Sequence, residues 1–168
     1  MAKTCCFTGH RPQFFPWGND TQDPRAQKLL KKLKSATETA ISQGVDLFYC
    51  GGARGVDTWA ANIIIQLKKE NPNIRLIIAI PFAGFNADVA EKDYLDSLAG
   101  ADQIIVTSQR TDEESYKIRD RYMVDNSDLV IAVYDERTGL RSGTYQAWKY
   151  AQKQKREIIQ IRWLDLLQ

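Results

Sequence analysis

The chemistry-bearing residues of this chain gather first in Tyr49-Cys50-Gly51-Gly52-Ala53-Arg54-Gly55-Val56-Asp57. The segment lies between Asp46 to Tyr49 (DLFY), which reads as a short buried strand, and Trp59 to Leu67, which reads as a helix. Glycines at a strand-to-helix turn allow φ > 0 and leave backbone N–H groups free to face a ligand, and the positive end of the following helix points to the same spot. Gly51, Gly52 and Gly55 are therefore expected to form an anion cradle, with Arg54 able to grip a phosphate through two parallel hydrogen bonds. Asp57 falls in the first helical turn, where the dipole favours a carboxylate whether or not it also orients a ribose. The pattern is neither a P-loop, since no Gly-Lys-Ser/Thr follows, nor a G-x-G-x-x-G fingerprint. A tight turn that needs glycine for packing alone is the competing reading.

Other loops carry related chemistry. Thr8-Gly9-His10-Arg11-Pro12 contains a glycine for close backbone approach, the only histidine, and an arginine. His10 is either a proton donor or hydrogen-bond partner of a ligand, or a histidine in a surface turn. Without a second histidine or a convergent cysteine pair, no metal site is expected. In Tyr116 to Asp128, Arg119, Tyr122, Met123 and Asn126 share one helical face. Met123 reads as core; Arg119 or Arg121 is in position to reach a phosphate or ribose, and at least one of the two reads as charge on a solvated outer face. In Arg141-Ser142-Gly143-Thr144, two hydroxyls flank a glycine at a helix start, forming a second anion site in which Ser142 is also a good N-cap.

The elements that position these loops alternate in kind. Strand patterns cover Lys3 to Thr8, Asp46 to Tyr49, Ile74 to Ile80, Gln103 to Thr107, Asp128 to Tyr134 and Glu157 to Ile161. Helical spacing covers Pro24 to Ser42, Trp59 to Leu67, Val89 to Leu98, Asp112 to Asn126 with Asp112 as cap, and Ser142 to Lys153. Near-continuous apolar strands alternating with helices predict an α/β, Rossmann-like, doubly wound and mainly parallel sheet with helices on both faces. In that architecture a ligand lies beyond the carboxyl ends of the strands, where all of these loops fall.

Length and composition fit a single domain over residues 1–168. A chain of this size buries roughly 70% of its unfolded surface, and 43% hydrophobic with 26% charged residues is ordinary for a globular protein. A net charge of +2 does not by itself argue for nucleic acid. Basic clusters at Lys28, Lys31, Lys32 and Lys34 and at Lys153, Lys155 and Arg156 lie in helical patterns and read as solvated faces. Cys5 and Cys6 are adjacent in a strand and point to opposite faces, which suits neither a shared metal nor a relaxed disulfide. A reducing, cytoplasmic setting follows, with no secretory signal and no apolar run near the ~20 residues of a membrane span.

The segment Gly51 to Asp57 resembles the glycine motif of the DNA-processing protein DprA (Smf). Asp128 to Ala147 is similar to that family's strand, loop and Ser-Gly-Ser/Thr helix start. The same architecture occurs in the LOG family, and together these make up the SLOG superfamily. The opening Cys5 to Pro12 looks most like the small YpsA-type branch. LOG enzymes cleave the N-glycosidic bond of nucleoside monophosphates and carry Pro-Gly-Gly-x-Gly-Thr-x-x-Glu. Here Arg141 to Thr144 replaces the glycine run and Ala147 stands at the glutamate, so that acid/base position is vacant.

The resulting expectation is a nucleotide or ADP-ribose-like ligand, with no further cofactor and no membrane partner. Gly51, Gly52, Arg54 and Gly55 would hold one phosphate, and Ser142, Gly143 and Thr144 another polar group, with Gly9, His10 and Arg11 closing the crevice. A hydrolase of N-glycosidic or phosphate bonds would instead need Asp57, Asp120 or Asp125. A single-stranded DNA-binding module like DprA is the third reading. Homodimerisation is open, since Trp59, Trp148 and Tyr150 suit either a core or an interface.

Overall fold

The computed structural model describes residues 3–168. Six strands form one sheet, β1 (Lys3–Gly9), β2 (Val45–Cys50), β3 (Arg75–Ile80), β4 (Gln103–Val106), β5 (Leu129–Val133) and β6 (Glu157–Ile161), in the order β4-β3-β2-β1-β5-β6. Every pairing is parallel. Five helices connect them: α1 (Pro24–Ser42), α2 (Val56–Lys68), α3 (Lys92–Gly100), α4 (Glu114–Asp125) and α5 (Gly143–Lys153). This is the expected Rossmann-like α/β architecture. The chain runs outward from β1 to β4, then returns to place β5 on the other side of β1. The β1/β5 boundary is thus the point where strand order reverses and where such sheets open a crevice.

The apolar strands split their side chains between two cores. Cys5, Phe7, Phe48 and Ile78 pack with Leu29, Leu33, Trp59 and Ile64 of α1 and α2 on one face. Cys6, Tyr49, Ile77 and Ala79 pack with Met123 and Val124 of α4 and Ala151 of α5 on the other. Adjacent Cys5 and Cys6 therefore sit in different layers, and all three cysteines are buried and free.

Helix α1 has the bounds its spacing predicts because Asp23 caps it, accepting the Arg25 N–H at 2.8 Å, while Pro24 stands in the first turn where its missing N–H costs nothing. Ser142 likewise caps α5, accepting from the Tyr145 N–H at 3.3 Å. Several expected boundaries shift: α2 starts at Val56 rather than Trp59 and runs to Lys68, and other strand and helix ends move by one to three residues. Helix α3 starts at Lys92 rather than Val89 because Glu91 is extended, and α4 starts at Glu114 because the Asp112 carboxylate pairs with Arg110 instead of capping the helix. Three short 3-10 turns, Pro12–Phe14, Glu136–Thr138 and Trp163–Leu167, fall where no element was expected. No helix among the described residues is long and apolar enough to cross a membrane.

Candidate functional site

A cleft of about 530 Å³ opens at the carboxyl ends of β1 and β5. Its wall takes Gly9, His10 and Arg11 from the loop after β1, Ala53 and Asp57 from the glycine turn, and Arg119 and Asp120 from α4. Ser142, Gly143 and Thr144 at the start of α5 complete it. The fold thus brings four separate segments to one crevice.

Arg119 occupies the centre. Only 6% exposed, its guanidinium donates to the Gly51 carbonyl and, through Nε, to Asp120 at 2.7 Å. Burial would depress its pKa, yet the neighbouring charges of Asp120 and Asp57 raise it above the ordinary arginine value. Asp57, 8% exposed, is pushed up to about 6 by burial, against the opposing pull of Arg119. Burial also raises Asp120, again opposed by Arg119. Two carboxylates and one guanidinium share this water-poor spot, so each charge depends on the others. Arg121, two residues along α4 from Arg119, turns outward and stacks on Tyr150 at 5.2 Å. Tyr150 in turn donates to Asp125, and both lie outside the cleft wall.

The glycine turn is held from both sides by protein groups. Its carbonyls are taken by side chains: Gly51 by Arg119, Gly52 by the Tyr94 hydroxyl at 2.8 Å, and Ala53 by the Thr58 hydroxyl at 2.9 Å. The Ala53 N–H donates to Asp57 at 3.3 Å, and the Val56 N–H to the His10 carbonyl at 3.2 Å. A side chain at Gly51 would collide with Asp57 and Arg119, which is why this strand end carries none. Gly51, Gly52 and Gly55 stand behind the cleft wall rather than in it, and Arg54 forks onto Glu91 with bonds of 3.0 and 2.7 Å. At the start of α5, by contrast, Gly143 is exposed with open space beside it, and the first residues of the helix line the cleft.

The model of one family, described as the YspA SLOG family, matches residues 5–166. The chain belongs to the YspA SLOG family. It is also similar to a UPF0398 protein of Bacillus thuringiensis strain Al Hakam, 28% identical over 141 residues that span 80% of this chain and 75% of the relative. A UPF0398 protein of Halalkalibacterium halodurans is 33% identical over 101 residues, covering 57% and 53%. The family match spans all four segments of the cleft wall.

Several cleft residues escape local sequence reasoning. Gln13, Phe14, Glu113, Tyr116, Lys117 and Gln146 also line the wall. Arg11 sits over the Tyr116 ring at 5.7 Å, joining the β1 loop to α4. Glu91, the partner of Arg54, lies 37 positions away, and no spacing rule links the two.

The Asp57 environment predicts a pH effect on stability. Its folded pKa of about 6 lies above the ordinary aspartate value of 3.8, so the folded state holds the proton more tightly. Its contribution is favourable below about 4 and is lost as pH rises through about 6, a change of about 2–3 kcal/mol. Asp57→Asn removes this titration while keeping an acceptor for the Ala53 N–H. Urea unfolding at pH 4 and 7 should show the variant gaining on the wild type by that amount at the higher pH; parallel stability curves would refute the assignment.

Proposed function

We propose that the chain binds a nucleotide-derived small molecule, a nucleoside phosphate or an ADP-ribose-like species, in the cleft at the β1/β5 boundary. The observation that carries this reading is one crevice that joins an open helix N-terminus to a buried arginine–carboxylate cluster. A volume of about 530 Å³ suits a ligand of this size. The N–H groups at the start of α5, with the Ser142 and Thr144 hydroxyls, favour a phosphate. Arg11 and Lys117 add positive charge at the rim.

Ligand at ~100 times its Kd contributes about 2.7 kcal/mol of stability, a rise of about 5–10 °C in Tm for a chain of this length. Gly143→Glu is the variant that checks the site. Its side chain enters open space, and a carboxylate at a helix start does not weaken the helix, but it repels an incoming phosphate. The unliganded Tm should hold while the nucleotide-induced rise disappears. An undiminished rise in the variant would place the ligand elsewhere, and no rise in the wild type with any nucleotide would end this reading.

A second reading, cleavage of the ligand's N-glycosidic bond, is favoured by Asp57 and Asp120 on the same wall as Arg119. With its pKa raised to about 6, Asp57 is the better proton donor near neutrality. Chromatography of the same nucleotide incubations reports it: free base that accumulates with wild type and not with Asp57→Asn supports turnover, and intact nucleotide throughout leaves binding alone.

A further inference from the structure

We propose that His10 is the residue through which the cleft recognises a nucleobase, and hence that the ligand is a base-bearing nucleotide rather than a sugar phosphate. This rests on the nucleotide reading of the cleft and adds which part of the ligand lies where.

His10 is 2% exposed and forms part of the cleft wall, yet neither Nδ1 nor Nε2 has a hydrogen-bond partner. A buried polar group left unsatisfied is costly, so folded chains seldom carry one without cause. The surroundings supply no remedy. The ring is enclosed by Phe14, Phe15, Tyr134 and Trp163, with centroids 5.2 to 6.3 Å away. Of these, Tyr134 donates its hydroxyl to the Leu140 carbonyl at 2.9 Å, and the buried Trp163 indole N–H makes no hydrogen bond to the imidazole. The backbone is fixed as well, because the His10 carbonyl accepts the Val56 N–H. The imidazole is thus a rigidly placed, unfulfilled polar group in an otherwise aromatic wall.

The type of group that satisfies it follows from its charge. Burial pushes His10 down to about 4, so at neutral pH the ring is uncharged and offers one N–H and one lone pair. A phosphate, rich in acceptors and seeking positive charge, is better served by the start of α5 and by Arg11. A nucleobase edge carries donors and acceptors on a flat apolar body, which suits an aromatic wall. Phe14, 38% exposed at the mouth and tilted 31° to the imidazole, is the ring that a base stacks on or turns aside as it reaches His10. Phosphate at the α5 start and base at His10 then span the cleft.

The test compares nucleoside monophosphates of each base with ribose 5-phosphate, by calorimetric titration of wild type, His10→Phe and His10→Asn. His10→Phe removes both unpartnered nitrogens but puts a larger ring in an enclosed site, so the unliganded Tm of each variant is read alongside, and the smaller His10→Asn keeps the test open if the phenyl disturbs the wall. The expected result is a loss of tenfold or more in affinity for the preferred nucleotide, unchanged ribose 5-phosphate binding, and partial recovery in His10→Asn. In wild type, the 15N resonances of the His10 ring should shift with nucleotide and not with ribose 5-phosphate. Equal losses for both ligands, or no loss for either, would overturn the assignment of the base while leaving the cleft as the nucleotide site. Failure of wild type to bind any nucleotide would remove both readings.

Discussion

Arg119→Met is expected to lower the unfolding free energy by about 3–5 kcal/mol, or about 6–20 °C in Tm, because it strands buried carboxylates rather than because it removes a favourable pair. Among the described residues the guanidinium is the only cation bonded to Asp120, and it stands against Asp57 while satisfying the Gly51 carbonyl. Without it, both acids are driven further towards protonation and the end of β2 loses a donor. The mechanism is separable from lost packing. In an Asp57→Asn, Asp120→Asn background the same Arg119→Met change should cost less by more than 1 kcal/mol, since no charge is then left behind. Arg119→Lys should recover only part, because an ammonium cannot extend a planar fork to Gly51 and Asp120 together. Urea midpoints at constant m-value measure the series, and equal costs in both backgrounds would show that the charges are independent.

The same residue marks how far sequence alone reaches. Arg119 and Arg121 lie two positions apart on α4, and the choice between them rests on which face of the helix meets the end of β2, a fact of packing across 68 positions. Helices α1 and α5 were legible because their signals are local: Asp23 with Pro24 at one, Ser142 before Gly143 at the other. The parallel sheet covered by helices followed from alternation of apolar strands with helices, whereas the order β4-β3-β2-β1-β5-β6 is set by long-range pairing. The glycine turn was legible as a turn, but the use of its polar groups was not. Arg54 finds Glu91 at the entrance to α3, and α2 is met at its first residue by the His10 carbonyl, so both local cues towards an anion are answered by distant parts of the chain. The aromatic wall around His10 depends on Trp163, near the other end of the sequence, and periodicity carries no information about that contact.

The meeting of His10 with α2 yields the second large effect, at Gly55. This residue has φ 85° and ψ −131°, a conformation that residues with a Cβ strongly disfavour, and a Cβ there would lie 2.5 Å from the His10 carbonyl oxygen and 3.0 Å from the Arg11 Cα. Both obstacles are backbone, which cannot rotate away. Gly55→Ala should therefore cost about 3 kcal/mol or more, combining local strain with overpacking. Gly139 supplies the control. It also has positive φ, 69°, but nothing lies within 4 Å of an added Cβ, so Gly139→Ala should cost only about 1 kcal/mol. The difference between the two isolates the price of pressing the β1 loop against the start of α2. It should also separate their effects on binding. Gly55→Ala must push His10 and Arg11 away from α2, breaking the Val56 bond and moving the imidazole in the cleft wall, so nucleotide affinity should fall along with stability. Gly139→Ala should leave affinity unchanged. If Gly55→Ala loses stability yet binds nucleotide as tightly as wild type, the β1 loop is a structural clamp and the cleft draws its specificity from α4 and α5 instead.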